Sequence, residues 1–189
     1  DSDFNNINLN YGALHPELQP FSFRTGSSGN RFSDIRINNA DFDPQDTNEN
    51  NLSKFNAVNY RAMILQEGWI IDKLTVRGFP VAAHMLSPHI SLSDFRTEDC
   101  GWDTGLTIES ALFLTNLASY GSVTNSSFHI TPGTALTYAS GGHIKSQAGD
   151  APVGLTFINV NSTGLAPSVG INLGSNFSAV LMVNVNLSG

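Results

Sequence analysis

Charged side chains are scarce in this sequence, and lysine is the scarcest. The 189 residues include three lysines and only 13% charged residues, so the polarity comes mainly from Asn, Ser, Thr and Gly. Exposed helix faces usually carry Lys, Glu, Arg and Ala, and their shortage argues against a helical bundle. The 20 asparagines and the short apolar runs favour many brief strands joined by tight turns, within a single domain.

Basic stripes, long hydrophobic runs and paired cysteines are also missing. The formal net charge is −7, which argues against nucleic acid as a partner. No run approaches the roughly 20 apolar residues of a membrane-spanning helix, so no membrane span is predicted. The single cysteine, Cys100, excludes a disulfide within the chain.

A six-residue pattern recurs: apolar, any residue, Asn or Asp, apolar, any residue, then usually apolar. It is read as FSDIRI from Phe32, LSDFRT from Leu92, LTNLAS from Leu114, FINVNS from Phe157 and MVNVNL from Met182, with a longer version, IIDKLTV, from Ile70. The central acid or amide falls at Asp34, Asp72, Asp94, Asn116, Asn159 and Asn184. Their gaps of 38, 22, 22, 43 and 25 residues fit one or two units of about 22 residues, with one insertion.

A unit of this length made of short strands is expected to form one coil of a β-solenoid. Asn and Asp tolerate the left-handed backbone that a sharp corner between two strands requires. In stacked coils these residues lie above one another, where amides can hydrogen-bond along the stack. Asp94 and Asn116 are therefore predicted to mark the same corner in adjacent coils.

A third strand is predicted before the corner pair of each coil. It is read as AMILQ from Ala62, VAAHML from Val81, GLTIES from Gly105 and VGINLG from Val169. The strand register between residues 120 and 150 stays open. A jelly roll or sandwich is the alternative all-β fold, but it gives no reason for the 22-residue rhythm.

Two regions are predicted along the chain. Residues 1–31 carry no recognised repeat and are expected to be a lead-in or cap, while residues 32–189 form the solenoid with an insertion at about 41–60. The apolar pattern stops in the middle of a coil. The sequence is therefore expected to be a segment of a longer chain, or to be covered by another domain or a neighbouring subunit.

Three strands per coil with an Asn corner, and the string TEDCGWDTGLTI from Thr97, resemble the right-handed parallel β-helix of bacteriophage tailspikes and pectate-lyase-like proteins. The resemblance covers roughly residues 32–189. It implies a homotrimer, on a virion tail or otherwise extracellular, that binds and often cleaves bacterial surface polysaccharide. A non-enzymatic structural or adhesive fibre and a secreted polysaccharide lyase are the alternatives, and whether any bond is cleaved stays open.

The loop after Thr97 holds the best candidates for catalysis. Glycoside hydrolysis needs two carboxylates about 5–9.5 Å apart, and an exposed Trp beside them can stack on a sugar ring. The alternative is that the acids only solubilise a turn while the Trp packs on the solenoid flank. The candidate catalytic residues are Glu98, Asp99, Asp103 and Glu109, and the candidate substrate-binding residues are Trp102, Arg77 and Arg96.

The two arginines follow successive corners, so they are predicted to line one face, where they can neutralise a uronate. Ordinary solvated arginines are the alternative reading of both. The insertion from Asp41 contains D-x-D-x-x-D but lacks the Gly and the distal Glu of a calcium loop.

Histidines are the remaining candidates for metal or proton chemistry. His84 and His89 have no Cys or carboxylates at metal spacing, and structural roles are the alternative for both. His129 and His143 lie in strand-like runs without an identifiable partner. No metal and no cofactor are predicted.

Overall fold

The computed structural model describes residues 2–11, 28–47, 61–103, 110–138, 143–147, 152–164, 170–174 and 177–188. These residues form strands and turns, including a short 3-10 turn at Asn116–Ala118, and contain no α-helix. The strands are β1 (Asp3–Tyr11), β2 (Arg31–Asn39), β3 (Arg61–Leu65), β4 (Ile70–Arg77), β5 (Val81–Met85), β6 (Ser91–Ser93), β7 (Arg96–Glu98), β8 (Leu112–Leu114), β9 (Ser122–His129), β10 (Ile144–Ser146), β11 (Thr156–Thr163), β12 (Ile171–Asn172) and β13 (Leu181–Ser188).

The strands belong to two parallel sheets, and from β2 onward the chain passes from one sheet to the other. Sheet 1 has eight strands in the order β1, β2, β4, β6 with β7, β9, β11 and β13. Sheet 2 has five strands in the order β3, β5, β8, β10 and β12. Every ladder between named strands is parallel, which rules out the antiparallel jelly-roll alternative.

Each pass through sheet 1 contains one residue in the left-handed backbone region. The row of these residues, called the turn row below, consists of Asn6, Asp34, Lys73, Asp94, Asn125, Asn159 and Asn184, with φ between 50° and 58°. Side chains of an extended strand alternate strictly, so one left-handed residue shifts the alternation by one position. The first, fourth and sixth residues of the six-residue pattern therefore all point inward, as Phe32, Ile35 and Ile37 do.

The predicted corner positions agree with the structure at Asp34, Asp94, Asn159 and Asn184. In the longer version of the pattern, the left-handed residue is Lys73 and not Asp72, because Leu74 pairs with Ile35. The prediction for Asn116 is wrong. Ser93 pairs with Thr124, so the residue that follows Asp94 in the turn row is Asn125, whereas Asn116 starts the 3-10 turn after β8 of sheet 2.

The 22-residue period is also wrong as a general rule. Successive members of the turn row are separated by 28, 39, 21, 31, 34 and 25 residues. The connections between the sheets vary in length, whereas the strand register within sheet 1 does not. The sheet thus tolerates insertions outside its strands, as parallel sheets with surface connections commonly do.

The repeat starts earlier than the sequence suggested. Asp3–Tyr11 is the first strand of sheet 1 and pairs with β2 from Asp3↔Arg31 to Tyr11↔Asn39. Its segment FNNINL fits the six-residue pattern, with Asn6 in the turn row. The expectation that residues 1–31 carry no repeat is therefore wrong for this strand.

The main core lies between the two sheets. It combines inward side chains of sheet 1, such as Leu74 and Phe157, with inward side chains of sheet 2, such as Met63 and Leu112. A second apolar cluster lies on the outer side of sheet 2, away from this core. Its members are Phe42, Val81, Trp102, Phe113, Ile130, Leu136 and Tyr138. β5 is buried along its whole length as a result.

Three of the four predicted third strands contain strands of sheet 2: AMILQ contains most of β3, VAAHML contains β5 and VGINLG contains β12. The fourth, GLTIES, lies outside the described residues except for Ser110, and the strand observed in this part of the chain is β8. Within the described ranges, no helix has the length and apolar character needed to cross a membrane.

Candidate functional site

The outward side of sheet 1, beyond the turn row, presents two parallel rows of polar side chains. Successive members occupy paired positions on neighbouring strands, which lie about 4.8 Å apart. The first row is Asn8, Arg36, Thr75, Arg96, Ser127, Asn161 and Asn186, and the second is Asn10, Asn38, Arg77, Glu98, His129, Thr163 and Ser188. All are exposed or half-buried, and together they are called the polar face below.

Arginines of the polar face pair with carboxylates close to them. The Arg96 guanidinium donates to Asp94 Oδ1 through Nε at 3.0 Å and Nη2 at 2.8 Å. Arg36 makes the equivalent contact with Asp34 at 3.4 Å, because both pairs have the same spacing from the turn row. Exposed pairs of this kind contribute little to stability, so they mainly hold the guanidinium groups in place.

Arg77 is held from two sides. Its Nε lies 3.4 Å from Glu98 Oε1 on the neighbouring strand, and its guanidinium lies 5.6 Å from the centre of the Phe42 ring. The Phe42 ring in turn covers Gly78, where an added Cβ would come within 2.6 Å of the ring. A guanidinium over an aromatic ring gains a cation–π attraction, which orders this long side chain on an otherwise exposed surface.

Glu98 and His129 are neighbours on adjacent strands. The two residues are paired in the β7–β9 ladder, and both side chains are exposed. His129 Nδ1 lies 2.9 Å from Thr163 Oγ1 on the next strand. Arg77, Glu98, His129 and Thr163 therefore form an uninterrupted row of hydrogen-bonding groups across four strands.

Both arginine candidates lie on the polar face, on the neighbouring strands β4 and β7. Glu98 joins them there. The structure does not bring the other predicted acids to the same place. Glu109 lies outside the described residues, as does the part of the 41–60 insertion beyond residue 47.

Asp99 is a structural carboxylate. Its side chain is 1% exposed, its φ is 50°, and it accepts hydrogen bonds from the Thr131 backbone N–H at 2.7 Å and from the Thr131 hydroxyl at 2.9 Å. Both oxygens are thus occupied in fastening the turn after β7 to the strand end of β9. A buried carboxylate with both oxygens satisfied is not available as nucleophile or base.

Trp102 does not form a sugar platform. It is 0% exposed and stacks on Phe42 with ring centres 5.0 Å apart, inside the second apolar cluster. The exposure expected for it is wrong, because residues 132–138 fold back over it, as shown by the bridge between Trp102 and Tyr138. Asp103 is half-buried beside it, and its backbone N–H donates to the Thr137 carbonyl at 2.8 Å.

Two histidines are buried and neutral. Burial, with a smaller contribution from the Arg61 charge, lowers the pKa of His84 to about 3, and its ring lies edge-on to Phe113 at 4.9 Å. Burial, with a smaller contribution from His129, lowers the pKa of His143 to about 4; its Nδ1 lies 2.6 Å from Ser162 Oγ. Ser162 accepts a further bond from the Gly170 N–H inside the core, so this Ser–His pair is structural.

The buried thiol of Cys100 is also unsuited to chemistry, because burial raises its pKa to about 12. No group of three or more metal-ligating side chains occurs in the described ranges. Open depressions lie on the outward side of sheet 1 near β1. One, of about 200 Å³, is lined by Asn6, Ile7, Asn8, Asp34 and Arg36.

Sequence reasoning missed the pairing of Glu98 with His129 and the role of Lys73 in the turn row. Glu98 and His129 are far apart in sequence and the coil length varies, so no fixed spacing could identify them as neighbours. For Lys73 there was a signal: the six residues from Ile71, IDKLTV, keep all three apolar positions of the pattern and carry lysine at the third position in place of Asn or Asp.

No protein-family model, no curated protein and no solved structure matches this chain.

Proposed function

We propose that this chain is part of a right-handed parallel β-helix of the tailspike-like kind. Two observations support this finer assignment: the chain alternates between two parallel sheets, and a left-handed residue recurs at one position of sheet 1. Crossover connections between parallel strands are right-handed in about 98% of cases, which favours that hand for every coil. Fold alone does not define an activity, so the function is argued from the polar face.

The function that the geometry supports best is binding of bacterial surface polysaccharide along the polar face. The observation that carries this proposal is the row of Arg77, Glu98, His129 and Thr163, held in register across four adjacent strands. Sugar hydroxyls both donate and accept hydrogen bonds, and this row offers donors and acceptors at a regular spacing of about 4.8 Å. A flat, regular surface suits an extended polymer better than a small metabolite, which usually needs a concave pocket.

Binding without cleavage fits the described residues better than hydrolysis. Two accessible carboxylates are required for the two-carboxylate mechanism. Of the predicted acids that the structure describes, Glu98 is exposed, Asp103 is half-buried and Asp99 is occupied in a turn. A homotrimer on a virion tail, or another extracellular location, remains part of the proposal through the resemblance.

The test is incubation of the protein with a panel of capsular and O-antigen polysaccharides, with binding and product size both measured. We expect binding without shortening. Arg77→Ala and Glu98→Gln should weaken it about tenfold, whereas the matched changes Arg31→Ala and Glu67→Gln, outside the polar face, should not. Wild-type binding that is unchanged by the polar-face variants would contradict the proposal.

A second candidate, a purely structural fibre, is favoured by the side-chain ladders of sheet 1. The Asn184 amide donates to Asn159, and the Asn186 amide donates to Asn161, so part of the polar surface is used for internal hydrogen bonds. Absence of binding to every polysaccharide of the panel would support the fibre.

A further inference from the structure

Lys73 is the exception in the turn row. The other six members are Asn or Asp, which tolerate the left-handed region well, whereas lysine there has a φ of 58° without a side chain that hydrogen-bonds locally. A backbone conformation that is uncommon for lysine points to a role for the Lys73 side chain. Asn would suit the turn better, so the turn alone does not explain a lysine.

The surroundings of Lys73 are unusual as well. On the strand before it the turn row carries Asp34, whose carboxylate is bonded by Arg36, and on the strand after it Asp94, bonded by Arg96. The nearest carboxylate in sequence, Asp72, accepts a hydrogen bond from the Ser93 hydroxyl at 2.9 Å. Lys73 is exposed and forms no ion pair with any residue that the structure describes.

The pattern is therefore symmetrical across three strands. Two Asp–Arg pairs lie two strand spacings apart, about 9.6 Å, and between them lies Lys73, an exposed cation without an ion pair to any described residue. Each arginine keeps unused N–H donors on its outer side, because the Asp contact employs only part of the five that a guanidinium carries. Each aspartate keeps acceptor capacity on its second oxygen.

We propose that Lys73 binds an anionic group on a glycan, a carboxylate or a phosphate, while the flanking Asp–Arg pairs bind hydroxyls of the neighbouring sugar units. The glycan then runs across the strands, along the direction in which they stack. This inference rests on the proposed function, since it assigns the charge class of the ligand and one residue that selects it. It also distinguishes the role of Lys73 from the roles of Arg36 and Arg96, because each of these arginines already pairs with an aspartate.

The experiment compares ligands that differ only in charge. Oligogalacturonate is measured against its methyl ester, and phosphorylated mannan oligomers against the same oligomers after phosphatase treatment. Wild type is expected to bind the charged member of at least one pair about tenfold more tightly, as one charge-assisted hydrogen bond allows, and to lose that preference at high salt. The pair that shows the preference identifies carboxylate or phosphate as the anion.

Lys73→Asn is the decisive variant, with Lys73→Arg and, at an exposed cation outside the polar face, Arg31→Asn as controls. Asn is expected to bring the preference to within about twofold while the melting temperature stays equal or rises, because Asn suits the left-handed turn. Lys73→Arg and Arg31→Asn should both retain the preference. Equal binding of both members of each pair by wild type, or a preserved preference in Lys73→Asn, overturns the inference. If no glycan of any charge binds, the proposed function itself fails.

Discussion

The Asn184 side-chain amide donates a hydrogen bond of 2.9 Å to Asn159 Oδ1, although 25 residues separate the two in sequence. Asn159 repeats the contact with Asn125 at 2.8 Å. Three members of the turn row thus form one amide ladder on successive strands, as predicted for stacked corner residues. Each of them also occupies the left-handed backbone region, so side chain and backbone select the same residue type.

Replacing Asn159 should therefore lower the free energy of unfolding in two ways that can be measured separately. Asn159→Ala removes two amide hydrogen bonds and places Ala in the left-handed region, and we expect a loss of about 2 kcal/mol in the free energy of unfolding. Asn159→Gly removes only the amide contacts and should lose about half as much. Urea unfolding of both variants measures the difference; equal losses would mean that the backbone conformation contributes nothing.

Asp99 should matter for stability and not for binding. Asp99→Ala leaves the Thr131 N–H and hydroxyl without their acceptors, and we expect a loss of about 2–3 kcal/mol with unchanged glycan affinity. Glu98→Gln, one residue away and exposed, should change unfolding by less than about 1 kcal/mol. An Asp99→Ala protein that is as stable as wild type but no longer binds glycan would contradict this prediction, because Asp99 would then serve binding and not stability.

Trp102 should behave as a core residue. Trp102→Ala is expected to destabilise the protein by about 3–5 kcal/mol, since it opens a cavity beside Phe42 in the second apolar cluster. Trp102→Phe keeps an aromatic ring there and should retain glycan binding at full affinity. If Trp102→Phe instead weakened binding at unchanged stability, the ring would have to reach the ligand after all.

Stability should fall as the pH falls from about 6.5 towards 4. The unfolded chain protonates His143 near its ordinary pKa of 6.5, whereas burial in the folded protein lowers that pKa to about 4. Between these values the unfolded state binds more protons, so acid favours it, by up to roughly 3 kcal/mol for this residue. The stabilisation is fully present above about pH 6.5.

His84 acts in the same direction over an even wider range, because its pKa is lowered to about 3. Urea unfolding at about pH 7 and pH 5 tests the prediction. His143→Gln, which can keep a hydrogen bond to Ser162, should be less sensitive to pH than wild type. Equal sensitivity of the two proteins would show that His143 is not responsible.

The six-residue pattern predicted the turn row where both inward neighbours of the left-handed residue are apolar, as at Asp34, Asp94, Asn159 and Asn184. It missed Asn125 because Ser126 takes the place of the inward apolar residue. Ser126 is buried all the same, since its hydroxyl donates to the Thr124 carbonyl at 2.8 Å and accepts from the Phe95 N–H at 3.2 Å. A buried serine with satisfied hydrogen bonds is indistinguishable in sequence from an exposed one.

The same pattern was misleading at Asn116. LTNLAS has the right residue types, but Leu114 belongs to sheet 2, and a pattern of buried and exposed positions does not reveal to which sheet a strand belongs. The candidate site was predictable only in part for a related reason. Arg77, Arg96 and Glu98 could be identified by residue type, whereas their neighbours on the polar face depend on connection lengths that range from short turns to long insertions.

The most direct test of the central claim is an NMR titration of the isotope-labelled protein with the oligosaccharide that binds best. Binding along the polar face predicts that the largest backbone amide shifts fall on Arg77, Glu98, His129 and Thr163. Shifts concentrated around Phe113 and Tyr138, on the outer side of sheet 2, would contradict the account.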